Sequence, residues 1–164
     1  LFILITQRPE KLLSTIRSRC QIVPFIRLND QQVNIIIDKL EVVQEIDDIP
    51  REKVKELIDF SYGSPGRYLI NLQYWLSISD TLRQKLEIKL TNQIDALQLA
   101  KEITDELNIE QQLWFIDFQQ NRSWIKEKNS NIVKQLEELR KQLLKYVQPR
   151  LAWEVTLLEI NLID

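Results

Sequence analysis

The residues of this chain best suited to chemistry stand together in Thr15-Ile16-Arg17-Ser18-Arg19-Cys20-Gln21. An arginine at the end of a short helix, beside the small residues Ser18 and Cys20, can project a fixed guanidinium toward phosphate oxygens. Its planar fork stays charged and bonds two oxygens at once. Pairing of Arg19 with a carboxylate of its own chain is the alternative. A second arginine, Arg67, follows Tyr62-Gly63-Ser64-Pro65-Gly66 near a helix amino-terminus, a reasonable anion site in its own right. Composition narrows what such arginines can serve. The 164 residues include no histidine, one cysteine and two glycines, so a Ser/His/Asp or Cys/His nucleophile and a His- or Cys-based zinc site are impossible. Glycines three positions apart cannot supply a GxxxxGK[ST] loop or a GxGxxG fingerprint, so nothing here grips a nucleotide by itself.

Arg19 must be positioned by what surrounds it. Phe2-Ile3-Leu4-Ile5-Thr6 is a short unbroken apolar run, the pattern of a strand buried on both faces of a parallel sheet. Pro9 opens a short helix with Leu12, Leu13 and Ile16 on one face, and Gln21 to Phe25 return to a strand-like run. This strand, helix, strand unit reads as the edge of an α/β domain. The start on Leu1 inside an apolar run, with no methionine anywhere, reads as a fragment of a longer protein. Residues 1–27 carry five basic residues and one acid, net +4, in a chain whose net charge is −2. That asymmetry points the amino-terminal piece toward an anionic partner, a solvated basic face being the bland alternative. A single cysteine agrees with a reducing compartment. No apolar stretch nears the roughly 18 residues of a membrane span, and LFILIT has neither a basic leader nor a cleavage site, so a soluble, cytoplasmic protein is expected.

From Leu28 onward the apolar period is helical. Asn29 and Gln32 make a capping box ahead of Val33, Ile36, Ile37 and Leu40. A second helix starts at Pro50, buries Val54, Leu57 and Ile58, and stops at Gly63. Ser64-Pro65 starts a third, whose apolar face is Leu69, Leu72 and Leu76, with Tyr68 and Trp75 at its edges. A domain boundary is expected at Ser77 to Asp80. Beyond it, helices are expected near 80–90, 92–107, 109–126 and 130–147, with a last one opened by Pro149. The fourth carries Ile132, Leu136, Leu139, Leu143 and Val147 as its stripe, and the last carries Leu151, Val155, Leu158 and Leu162. Five helices without glycine make a bundle.

The stretch LFILITQRPEKLLSTIRSRCQIVPF resembles the sensor-1 to arginine-finger segment of bacterial clamp-loader subunits of the AAA+ class. A Thr-containing strand, a Pro-x-x-Leu-Leu helix and a Ser-Arg-Cys motif follow in that family's order. Gly63-Ser64-Pro65-Gly66-Arg67 resembles the lid motif of the same family, with Gly66 where motor subunits carry arginine and Arg67 one residue later, about 100° further round the helix. Tyr146-Val147-Gln148-Pro149-Arg150-Leu151-Ala152-Trp153-Glu154-Val155 is similar to the Asn-Pro-Arg-Leu-Ala-Leu-Glu segment opening the last collar helix of loader subunits. The resemblance runs from end to end of the chain.

Three units are implied: the tail of an AAA+ ATPase domain over 1–27, a helical lid over 28–77 and a helical collar over 78–164. The implied fold is mainly α, with an α/β edge. The resemblance also implies that Arg19 acts in trans on ATP and Mg held by a neighbouring subunit, with Thr6 and Ser18 near that nucleotide and Arg67 a further nucleotide-proximal position. The chain itself would bind no cofactor and no metal. Its partners would be the gamma/tau and delta subunits in a pentameric ring, and through them the sliding clamp and primer-template DNA. It would be no enzyme alone, but a subunit of the DNA polymerase III holoenzyme. Trp114, Trp124 and Trp153 are expected as core or interface anchors, because Asp117 and Glu154 nearby would repel a phosphate backbone. The alternatives are a fragment of the ATP-hydrolysing motor subunit and a helical interaction module unrelated to ATPases.

Overall fold

The computed structural model describes residues 2–39, 49–87 and 92–163. Among them the regular structure is helical and no strand forms. Residues 2–6 and 21–25 are irregular and exposed, with Phe2 98% and Ile5 95% accessible. This departs from the expected strands, and the reason is pairing: a doubly buried strand needs ladders on both sides, and these runs have none among the described residues. The helix expected from Pro9 is also divided. Pro9–Lys11 is one 3-10 turn, Leu12 and Leu13 are extended, and α1 is the single turn Ser14–Arg17.

The helical body begins at α2, Asp30–Lys39. Its capping box forms as expected, the Asn29 backbone N–H donating to Gln32 Oε1 at 3.1 Å and the Gln32 N–H to Asn29 Oδ1 at 2.9 Å. Val33 and Ile37 are buried and Ile36 is partly so, while Leu40 lies outside the described residues. Pro50 caps α3, Arg51–Phe60, which buries Leu57 and Ile58 and packs on α2 and on α4, Pro65–Ser77. The buried face of α4 is Tyr68, Asn71, Leu72 and Trp75. The expected stripe is thus turned by part of a turn: Tyr68 and Trp75 are central, and Leu69 and Leu76 lie at the edge. The large rings fill space that leucines would leave open.

Five further helices follow among the described residues: α5 Asp80–Glu87, α6 Gln93–Glu106, α7 Ile109–Arg122, α8 Ser130–Leu144 and α9 Pro149–Ile163. A π-helical turn, Ser123–Glu127, extends α7 and is closed by left-handed Lys128. Helix α9 packs on α6 and α8, and α7 packs on α8. In α8 the expected stripe holds for Leu136, Leu139 and Leu143, whereas Val147 lies beyond the helix end and is exposed. In α9 it holds only for Leu158, which packs partly buried against the core: Ala152, Trp153, Thr156 and Leu157 face inward, while Leu151 and Val155 are 52% and 43% exposed. Leu162 lies among side chains outside the described set. Trp153 explains the turn of the face, because its buried indole Nε1 donates to Gln112 Oε1 at 2.9 Å and fixes the rotation of α9 against α7.

One apolar core runs through both sets of helices. Trp114 and Phe118 of α7 stack at 5.5 Å, and Phe60 of α3 meets their edges. Trp114 Nε1 donates to Asn71 Oδ1 on α4 at 3.0 Å. No described helix is long and apolar enough to cross a membrane.

Candidate functional site

Arg19 stands in the turn that follows α1, its backbone N–H donating to the Ile16 carbonyl at 3.1 Å. The turn is closed by Cys20 N–H to the Arg17 carbonyl and by Ser18 Oγ donating to the Thr15 carbonyl at 3.2 Å. Both Arg19 and the free thiol of Cys20 are exposed. Among the described residues Arg19 makes no ion pair. The self-paired alternative therefore has no carboxylate to support it here. Thr6 Oγ1 accepts from the Arg8 N–H at 3.1 Å, which turns the chain ahead of Pro9.

Arg67 sits elsewhere, in the first turn of α4, exposed, its N–H donating to the capping Ser64 Oγ at 3.4 Å. Gly66 faces open space. Gly63 is under strict demand: its φ is +75°, its carbonyl accepts from the Leu28 N–H at 3.1 Å, and an added Cβ would lie 2.2 Å from the Leu28 carbonyl oxygen. The glycine thus pins the start of the helical body against the α3–α4 turn. No hydrogen bond or ion pair joins Arg67 to Thr6, Ser18 or Arg19 among the described residues.

A charged cleft that the sequence reading did not find lies where α3, α4 and α5 meet the end of α7. Its volume is about 370 Å³, and Trp75 and Pro50 form part of its wall. Glu56 is its hub. Lys53 Nζ reaches Glu56 Oε2 at 2.5 Å, Lys126 Nζ contacts Oε1, and Arg122 Nε lies 3.9 Å from Oε1. Lys126 also reaches Glu52 at 3.0 Å. Burial opposes ionisation of Glu56, but the hydrogen bonds from Lys126 and Lys53 and the charge of Arg122 outweigh it. Its carboxyl is held below the usual range. Lys53 is 7% exposed, with its ammonium 4.7 Å from the Trp75 ring and 5.4 Å from Phe118. One signal was legible, since Lys53 and Leu57 are four apart on one helix face, so a lysine occupies a core register. The partners Arg122 and Lys126, some seventy residues away, had no such signal.

The described residues define a mainly helical body preceded by an exposed basic segment. The model of the family "Cyanobacterial DNA polymerase III delta prime, C-terminal domain" matches residues 31–160. The chain belongs to that family. No curated protein and no solved structure matches it. The match places the chain in a clamp-loader subunit of DNA polymerase III and sets aside both the motor-subunit reading and the unrelated helical module. Residues 1–30, which hold Arg19, lie outside the matched span.

Proposed function

We propose that this chain is the carboxy-terminal part of a delta-prime subunit that completes the clamp-loader ring as a stator and offers Arg19 to ATP on a neighbouring motor subunit. The observation that carries the reading is the family match over most of the helical body, joined to an exposed arginine in a Ser-Arg-Cys turn with no carboxylate partner among the described residues. A guanidinium delivered in trans stabilises charge on the phosphoryl oxygens as the terminal phosphate leaves. Ser18 shapes the turn that presents Arg19, Thr6 stands at the sensor-1 position, and Arg67 is the nucleotide-proximal arginine of the lid. ATP and Mg belong to the neighbour's site.

In this reading residues 1–27 are the tail of an AAA+ domain. Their exposed apolar runs are strands that pair within that domain's sheet, which accounts for their lack of ladders here. Residues 28–77 are the lid and 78–164 the collar, whose helices pack against gamma/tau and delta in a pentameric ring. The assembled loader works in the cytoplasm, closing the sliding clamp on primed DNA.

The test is DNA-stimulated ATPase of a loader rebuilt from full-length subunits, wild type against Arg19→Ala at equal ring assembly. A loss on the order of 10³-fold or more is expected, the scale of arginine fingers elsewhere. An unchanged rate would remove the finger and leave a purely structural ring member.

A further inference from the structure

We propose that Tyr62 is a positioning residue for Arg19: with Gly63 and Asn121 it forms a joint that sets the direction in which the amino-terminal segment leaves the helical body. The proposal rests on the arginine-finger reading above. Three parts of the chain meet at the α3–α4 turn. The Gly63 carbonyl accepts from the Leu28 N–H at 3.1 Å, which holds the end of the amino-terminal segment. One residue earlier, the Tyr62 hydroxyl accepts from Asn121 Nδ2 on α7 at 2.8 Å, across 59 positions of sequence. The Tyr62 ring also lies 6.1 Å from that of Phe60, which meets Trp114 and Phe118 of α7. The segment is therefore referred to α7 as well as to the two helices that flank the turn.

The backbone bears the mark of this arrangement. Tyr62 and Gly63 are consecutive left-handed residues, with φ of 52° and 75°. Glycine takes that conformation freely, whereas a bulky aromatic residue takes it against the repulsion of its own Cβ. Glycine or asparagine at position 62 would reverse the chain with less strain. What tyrosine adds is reach, because its ring carries a hydroxyl to α7. The consequence follows from the lever arm. Arg19 stands nine residues before Leu28, so an extended chain between them spans up to about 30 Å. At that distance a rotation of about 5° displaces the guanidinium by roughly 2–3 Å. Misplacing a catalytic group by about 1 Å can cost on the order of 10²-fold in rate. Leu28 fixes where the segment leaves the body, and the turn, held against α7 through Tyr62, fixes the direction.

The experiment is DNA-stimulated ATPase of the loader rebuilt from full-length subunits, read as kcat and KM at equal ring assembly. The Tyr62–Asn121 bond is exposed, so breaking it costs little stability. Tyr62→Phe and Asn121→Leu should each lower kcat about tenfold and leave KM for ATP unchanged, because the neighbour holds the ATP. Asn121→Asp should keep the wild-type rate, since the tyrosine hydroxyl can turn and donate to the carboxylate. Distances between spin labels on the exposed Cys20 and on Glu110→Cys of α7, in the full-length subunit, should spread more widely in Tyr62→Phe than in wild type. An unchanged kcat in Tyr62→Phe, a loss confined to KM, or an unchanged distance distribution would overturn the joint. Arg19→Ala, run alongside, separates the two readings. A wild-type rate there overturns the finger itself, whereas a loss there with full rate in Tyr62→Phe overturns the joint alone.

Discussion

At Gly63 a single hydrogen atom in place of a methyl decides whether the chain can close. The left-handed φ suits glycine, and the Leu28 carbonyl fills the space a Cβ would need. Gly63→Ala should therefore cost roughly 2 kcal/mol or more, read as a lower denaturation midpoint with an unchanged slope. Gly66→Ala faces no neighbour and should change stability little, which makes it the matched control. Sequence spacing identified Gly63 as a turn glycine, but the approach of Leu28, 35 positions earlier, is a tertiary fact. Gln112 is a second such residue. Its Nε2 donates to the Leu107 carbonyl at 2.7 Å while its Oε1 accepts from Trp153, so one side chain ties the end of α6, α7 and α9 together. Gln112→Leu should strand the Trp153 N–H and the Leu107 carbonyl, costing about 2–4 kcal/mol in chemical unfolding.

Among the elements, α9 is where periodicity and packing part company. A helix with apolar residues on two sides offers two stripes of similar strength, and the indole hydrogen bond of Trp153 selects the inner one. Leu151 and Val155, four apart on the outer side, remain accessible. In the proposed collar they face another subunit. Leu151→Glu with Val155→Glu should leave the unfolding free energy of the isolated subunit within about 0.5 kcal/mol of wild type and abolish co-purification with gamma/tau and delta. Retained assembly would remove α9 from the ring contacts. Helices α2 and α4 were legible down to their caps, because Asn29 and Ser64 act within one turn of chain, and Pro50 marked the start of α3 to within one residue. The runs at 2–6 and 21–25 were legible only as composition, since a strand exists through its neighbours.

Across the whole molecule, helices α2–α4 and the helices that follow meet through aromatic contacts and the Glu56 cluster. Because the folded carboxyl of Glu56 titrates below its unfolded value, its contribution is present above the unfolded pKa and is lost as pH falls through the folded one. Urea midpoints of the wild type should therefore fall on acidification below about pH 5 more steeply than those of Glu56→Gln. Asp117 has the opposite sign. Burial raises its carboxyl despite Arg140 at 3.0 Å, so it costs stability at neutral pH and regains it as pH falls through its raised value. The chain's residues, read in order, carried the helical class of the part beyond Leu28, the starts of its helices, the turn at Gly63 and the Ser-Arg-Cys motif, because caps, period and motif act over a few residues. Which face of α4 and α9 turns inward, and that Lys53, Arg83, Arg122 and Lys126 share one cleft, were decided only in three dimensions. Burial competes among all available apolar faces at once, and charges up to 74 residues apart in sequence become neighbours only after the core has closed.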